Sequence, residues 1–300
     1  MGKASAAKQN PDRREKIAAQ RAAARRQEAR NRLLIAGGAV IAVVAVVVAF
    51  VVIKATSNSS SSSSASSSSY PTGTALAKVV GLVTSVPEKV LREVGAGSVS
   101  DKPQSITGTE LKSDGKPEML YMGAEYCPYC AAERWAMIVA LSHFGTFSGL
   151  KGMESSSSDV YANTPTFTFV DAKYTSKYLK FTTVEMEDRD QNTLQTPTAA
   201  QDALFKKYDA PPYVASADAG AIPFVNMGNR YLIVGASYNP AVLSGLSWDK
   251  IATDLHDPST PVAKGVNGAA NYITAALCKL TRDKPASTCT SAIKKLQSKI

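Results

Sequence analysis

Apolar and polar positions along the chain fall into three regimes. Leu33 to Ile53 is a run of 21 residues without a charge, mostly Val, Ala and Ile. As a helix it spans about 31 Å, the depth of a hydrocarbon core. A signal peptide has a shorter apolar region, roughly 7–15 residues, closed by a small-x-small site. Lys54-Ala55-Thr56-Ser57 fits that site poorly, so an uncleaved single transmembrane helix is predicted. Thr56 to Ser69 is almost all serine; such a stretch cannot bury apolar surface and serves as a flexible tether. From Tyr70 onward, short apolar runs alternate with turn residues. The predicted domains are a basic arm (1–32), an anchor (33–53), a Ser-rich linker (54–69) and a folded region (70–300).

Within the folded region, Leu76 to Val86 is apolar, and Pro87 opens a short helix over Glu88 to Val94 that Gly95 and Gly97 stop. Ile106 to Leu111 and Pro117 to Met122 read as strands joined by the turn Ser113-Asp114-Gly115. Trp135 to Leu141 is apolar throughout, which suits a helix buried under a sheet. Ser148 to Asp159 reads as a Ser/Gly loop, and Thr166 to Val170 alternates as a half-buried strand should. Tyr174 to Phe181 is ambiguous, and Thr183 to Met186 is a predicted strand. A helix starts at Thr196-Pro197 and runs to Tyr208. Two apolar strands around Gly228-Asn229 make a hairpin. Helices follow from Ser247 to Leu255 and from Asn271 to Leu280, and a final turn or two over Ser291 to Lys299.

Charge separates the arm from the rest. Residues 1 to 32 carry ten Lys/Arg against three Asp/Glu, which is +7 of the chain's +9. The folded region is therefore near neutral, and a nucleic-acid surface is not indicated. The cationic flank places residues 1 to 32 in the cytoplasm and residues 54 to 300 outside it, with the arm available to anionic lipid.

The candidate chemistry centres on Cys127-Pro128-Tyr129-Cys130, between a predicted strand and a predicted helix. A sulfur at a helix N-terminus meets unpaired N–H groups and the positive end of the dipole, which favour thiolate. Pro128 suits the first helical position. Cys130 lies one turn on, within reach of a mixed disulfide held on Cys127. Zinc requires four ligands, usually in two knuckles. The remaining pair, Cys278 and Cys289, has ten intervening residues, and no His lies near in sequence; no metal is expected. A purely structural disulfide across two residues closes too short a loop to matter. Cys278 and Cys289 would close a twelve-residue loop, a structural disulfide of about 3 kcal/mol, with a redox relay to Cys127 and Cys130 as the alternative. The second signal is Ile222-Pro223, ahead of the hairpin. Proline is tolerated at a strand start, and X-Pro bonds alone have appreciable cis content. His143 and His256 sit at predicted helix ends, and neither is assigned a catalytic role.

Strand, C-x-x-C, helix, then helix, Pro-strand, hairpin strand and helix is the order of the thioredoxin fold. Ala124 to Cys130 resembles the thioredoxin approach to its active site, and Cys-Pro-Tyr-Cys resembles the glutaredoxin dithiol. The resemblance implies an α/β thioredoxin-like domain, a mixed sheet flanked by helices with insertions. It also implies a cis Pro223 facing the dithiol and an Ile222 backbone that receives an extended substrate strand. Thioredoxins carry a buried carboxylate on the strand before the motif, and the matching residue here is Tyr121. Glu125 is closer to the motif, at its rim. A closer resemblance covers most of residues 70 to 290. Glu133-Arg134-Trp135-Ala136, His143-Phe144-Gly145, Cys278-Lys279-Leu280-Thr281 and Pro285-Ala286-Ser287 are similar to the family catalogued as domain of unknown function 929.

The expected function is a membrane-anchored, extracytoplasmic thiol–disulfide oxidoreductase. Cys127 and Cys130 are its catalytic pair, and Pro128, Tyr129, Ile222 and Pro223 its substrate contacts. No cofactor is needed, since the disulfide carries the electrons. Partners would be exported protein thiols or disulfides and an electron donor or acceptor, because the anchor has no Cys. The compartment favours oxidation or isomerisation over reduction. The alternatives are a non-catalytic scaffold on the same fold and a Cu(I)-type metallochaperone using the same pair.

Overall fold

The computed structural model describes residues 70–300. The predicted arm, anchor and linker lie outside the described residues. Among the described residues no helix is long and apolar enough to cross a membrane.

Helices α1 (Gly73–Thr84) and α2 (Glu88–Val94) come first, with Gly95 taking φ 57 where α2 stops. Short strands β1 (Gln104–Ser105) and β2 (Lys112–Ser113) precede β3 (Lys116–Gly123). Helix α3 (Pro128–Ser142) carries the C-x-x-C at its start. Strands β4 (Gly145–Ser148), β5 (Lys151–Glu154), β6 (Pro165–Thr168), β7 (Lys173–Ser176) and β8 (Lys180–Glu185) follow. Then come α4 (Ala199–Tyr208), β9 (Phe224–Met227) and β10 (Tyr231–Val234). Helices α5 (Trp248–Asp254), α6 (Pro261–Leu280) and α7 (Ser291–Gln297) complete the chain.

The main sheet is mixed. Its central strand β3 runs parallel to β8 on one side and antiparallel to β9 on the other. β10 and β1 extend the β9 side, and β2 pairs with the start of β3. The alternation along β3 sorts its side chains. Met119 and Tyr121 enter a large cluster with α1, α3 and α6, while Leu120 and Met122 enter a smaller one with Tyr208, Leu204 and Phe205 of α4. Helices thus cover both faces. The connection between β9 and β10 is Gly228-Asn229-Arg230, with Met227 opposite Tyr231; Gly228 and Asn229 take positive φ (65 and 53), and Arg230 adds one residue to the expected two-residue turn. Helix α3 is buried on nearly every side because it lies between this sheet and α6.

Several elements differ from the sequence-based expectation. Ile106 to Leu111 is irregular, and only Gln104–Ser105 pairs in this region, with β10. Gly108 weakens the segment as a strand, and the Tyr208 hydroxyl packs against it. Ser148 to Asp159 is not all loop: it holds β5, which pairs with β6 while β4 pairs with β7. β6 is wholly buried rather than half-buried. Trp135 Nε1 donates to Pro165 O (2.8 Å), Trp248 Nε1 to Thr166 O (2.8 Å), and Thr166 Oγ1 to Ala131 O (2.8 Å), so even its polar positions are paired inside. Helix α4 is capped by Thr198, not Thr196, through a capping box with Gln201. Helix α6 begins ten residues before the predicted Asn271, at Pro261 after the Thr260 cap. Its first half is Gly-, Ala- and Asn-rich and packs closely, so it carries little apolar signal.

Candidate active site

The site forms where β3 ends. Met186 N donates to Gly123 O (2.7 Å) and Glu125 N to Glu187 O (2.8 Å), which holds the strand-to-helix turn against the end of β8. Cys127 is the N-cap of α3 and Pro128 its first residue. The Cys127 sulfur accepts the Cys130 backbone N–H at 3.1 Å, so one of the helix's orphan donors is used on the thiol. The Cys127 thiol also donates to Ile222 O, 3.8 Å away. The Ile222–Pro223 bond is cis. Residues nearly a hundred positions apart in sequence therefore meet at one sulfur.

Both cysteines are free thiols, Cys127 only 4% exposed and Cys130 wholly enclosed. They cluster with Ala124, and Tyr126, Tyr129 and Ile222 pack around them. The Tyr129 ring meets that of Tyr161 edge-on at 6.1 Å. Tyr161 stands on a loop tied to the motif by Ser156 N donating to Tyr126 O (2.8 Å), and Arg189 Nε braces that loop by donating to Ser155 O (3.0 Å). Burial pushes the Tyr126 phenol up to about 12, helped by the Glu187 carboxylate. Burial also pushes the Cys130 thiol well above its usual range, and the adjacent Cys127 adds to the rise. The Arg134 guanidinium acts against it.

Beneath Cys130 lies a charged network that sequence reasoning missed. Arg134, one helical turn after Cys130, is wholly buried and pairs with Glu185 on β8, itself wholly buried. Arg134 Nε donates to Glu185 Oε1 (2.9 Å) and Nη2 to Oε2 (2.7 Å). Nη2 also donates to Ala124 O (2.7 Å). The Tyr121 hydroxyl donates to Glu185 Oε2 at 3.4 Å. Tyr121 is the residue matched to the thioredoxin carboxylate, and burial keeps its phenol neutral far above the usual range. A buried carboxylate is present nevertheless, supplied by the neighbouring strand. Arg134 was legible as a charge inside an apolar helix four residues from a cysteine, but its partner was not. Glu125 is half-buried, and burial raises its carboxyl against a hydrogen bond with Thr168.

The other sequence candidates lie apart from the dithiol. Cys278 and Cys289 are disulfide-bonded and join the end of α6 to the segment before α7. His143 is the C-cap at the far end of α3, and burial lowers its imidazole. The His256 imidazole hydrogen-bonds Leu82 O at 3.0 Å. Among the described residues, the one His/Cys/Asp/Glu cluster with metal-ligand spacing is Cys278, Asp283 and Cys289, whose sulfurs are already bonded to each other.

The family described as Domain of unknown function (DUF929) matches residues 102–279, which is more than half of the chain and includes every residue of the site. No curated protein and no solved structure matches the chain.

Proposed function

This chain belongs to the DUF929 family, and from the geometry of its dithiol we propose that it is a thioredoxin-like thiol–disulfide oxidoreductase. The reading is carried by one observation: the Cys127 sulfur caps α3, accepts the Cys130 N–H, and lies against the Ile222 carbonyl. Cys127 attacks, or is attacked at, a protein disulfide. Cys130 resolves the mixed disulfide. Pro128, Tyr129, Ile222 and Pro223 shape the surface the substrate chain meets, with Ile222 O as a backbone acceptor. The electrons reside in the cysteine pair, so no further cofactor takes part.

The sequence of residues 33–53 and its cationic flank support a single-pass anchor that holds the domain outside the cytoplasm. Exported proteins are then the substrates, with oxidation or isomerisation favoured, and a partner supplies or removes electrons.

A Cys130→Ala variant in membranes tests this. It should accumulate reductant-sensitive mixed disulfides on a non-reducing gel, all lost when Cys127→Ala is added. No adducts, with Cu(I) bound by the wild type in a titration and lost in the Cys130→Ala variant, would instead support a metallochaperone; neither outcome would leave a scaffold. For a redox-active pair the reduction potential sets direction: near about −120 mV for an oxidase, near about −270 mV for a reductase.

A further inference from the structure

Arg134 has more hydrogen-bonding capacity than its surroundings use. A guanidinium carries five N–H donors. Nε serves Glu185 Oε1, and the two N–H groups of Nη2 serve Glu185 Oε2 and Ala124 O. Nη1 is buried and has no partner among the described residues. The Glu185 carboxylate, by contrast, is saturated: it also accepts Phe169 N (3.4 Å) and the Tyr121 hydroxyl (3.4 Å). The ion pair therefore presents a satisfied anion on one side and a cation with an idle edge on the other. An idle buried donor is costly to keep.

Cys130 is the nucleophile that shares its helix face, although Nη1 makes no hydrogen bond to the Cys130 sulfur in the reduced protein. It lies four residues before Arg134, on the same face of α3. The Tyr121 hydroxyl and the Cys130 sulfur both crowd Gly123, where an added Cβ would clash with the first and stand 3.1 Å from the second. The Arg134 guanidinium carbon lies 5.8 Å from the Tyr121 ring. The titratable groups facing Cys130 are Cys127 and Arg134 on its own helix, Tyr121 on β3, Glu185 on β8, and Tyr126 in the turn. Arg134 is the cation among them.

We propose that Arg134 is a positioning residue for resolution of the mixed disulfide, its free Nη1 edge supporting negative charge on the Cys130 sulfur while Glu185 holds it in place. This rests on the redox reading of the dithiol. In the step, the Cys130 sulfur attacks the Cys127 sulfur, and the Cys127–substrate S–S bond breaks. The Cys127–Cys130 bond forms, and the substrate sulfur leaves with the proton as a thiol. The substrate disulfide is reduced by two electrons and the dithiol is oxidised by two. Burial opposes charge on Cys130, and a cation that needs no solvent to reach it removes part of that opposition. Run in reverse, the same positive charge makes Cys130 the better leaving group.

The test uses the reduced full chain in detergent and a chromogenic aromatic disulfide as substrate. Attack by Cys127 releases one chromophore, and resolution by Cys130 releases the second, so the two steps are read separately. Removing both charges (Arg134→Met with Glu185→Met) should leave the first release unchanged. It should slow the second about tenfold or more at pH 7 and move its pH profile up by about one unit or more. Glu185→Gln, which leaves the cation without its counter-charge, should move the profile down. Arg134→Lys should retain most of the second rate. A second release unchanged in the double variant would overturn the role of Arg134, as would the double variant and Glu185→Gln moving in the same direction. If Glu185→Gln does not fold, the double variant and Arg134→Lys decide. A wild type that gives one release only would show that the pair is not redox-active, and this inference falls with it.

Discussion

The Glu185 carboxylate grips Arg134 through Nε and Nη2 with both side chains wholly buried, tying β8 to the helix that carries the dithiol. A pair of this kind contributes little net stability while intact, because desolvation offsets the attraction, but leaves an uncompensated charge when one member is removed. Arg134→Ala should therefore cost about 3–5 kcal/mol in urea unfolding, whereas replacing both residues by apolar side chains of similar volume should recover most of that loss. Equal losses in the single and double variants would contradict the paired account.

Glu133, the residue before Arg134, is buried with the opposite consequence. It accepts the Ser237 N–H (2.9 Å) and hydroxyl (2.9 Å), yet burial still raises its carboxyl from the ordinary 4.5 to about 7. A carboxyl raised in the folded state binds its proton more readily folded than unfolded. Its stabilising contribution is complete below pH 4.5 and is lost as pH rises to about 7. The loss amounts to roughly 3 kcal/mol. Denaturation at stepped pH should show stability falling across that window, with a markedly flatter profile for Glu133→Gln. Asp209, also raised to about 7 by burial, has the same sign and leaves a residual slope. Parallel profiles for wild type and variant would sink this assignment.

Gly123 is small for a reason specific to the site. A Cβ there would overlap the Tyr121 hydroxyl and press on Cys130 Sγ at 3.1 Å. Gly123→Ala should destabilise by about 1–3 kcal/mol, as overpacking does, and slow trapping of Cys130 by an alkylating agent relative to unfolded chain. A neutral substitution by thermal melt would mean that the turn yields more readily than its packing indicates.

The Cys278–Cys289 bond closes a twelve-residue loop between α6 and α7. Replacing both by Ser should lower stability by about 3 kcal/mol and leave the dithiol's reactivity toward a model disulfide unchanged. A changed exchange rate at Cys127 in a variant that still folds would instead make this pair a relay.

Much of the local structure was legible because its causes are local. A proline opens α2, and glycine and asparagine at positive φ turn the β9–β10 hairpin. Cys127 and Pro128 occupy cap and first position of α3 whatever surrounds them. Boundaries drifted where local signals competed: Thr196 and Thr198 offer similar caps, and only Thr198 has Gln201 three residues on. Spacing alone also identified the C-x-x-C pair, whereas the approach of the Ile222-Pro223 segment was implied only by the thioredoxin resemblance.

Tertiary structure decided what requires two distant segments to meet. Nothing near Thr166 in sequence says that the Trp135 and Trp248 indoles will bury its strand on both sides. Nothing near Glu185 says that an arginine 51 residues earlier will claim it. Backbone preference and hydrophobic period act over a few residues, so the sequence by itself determined the helix start, the thiol spacing and the hairpin. Which buried charge faces which depends on how β3, β8 and α3 stack, and only that packing set the electrostatic surroundings of Cys130.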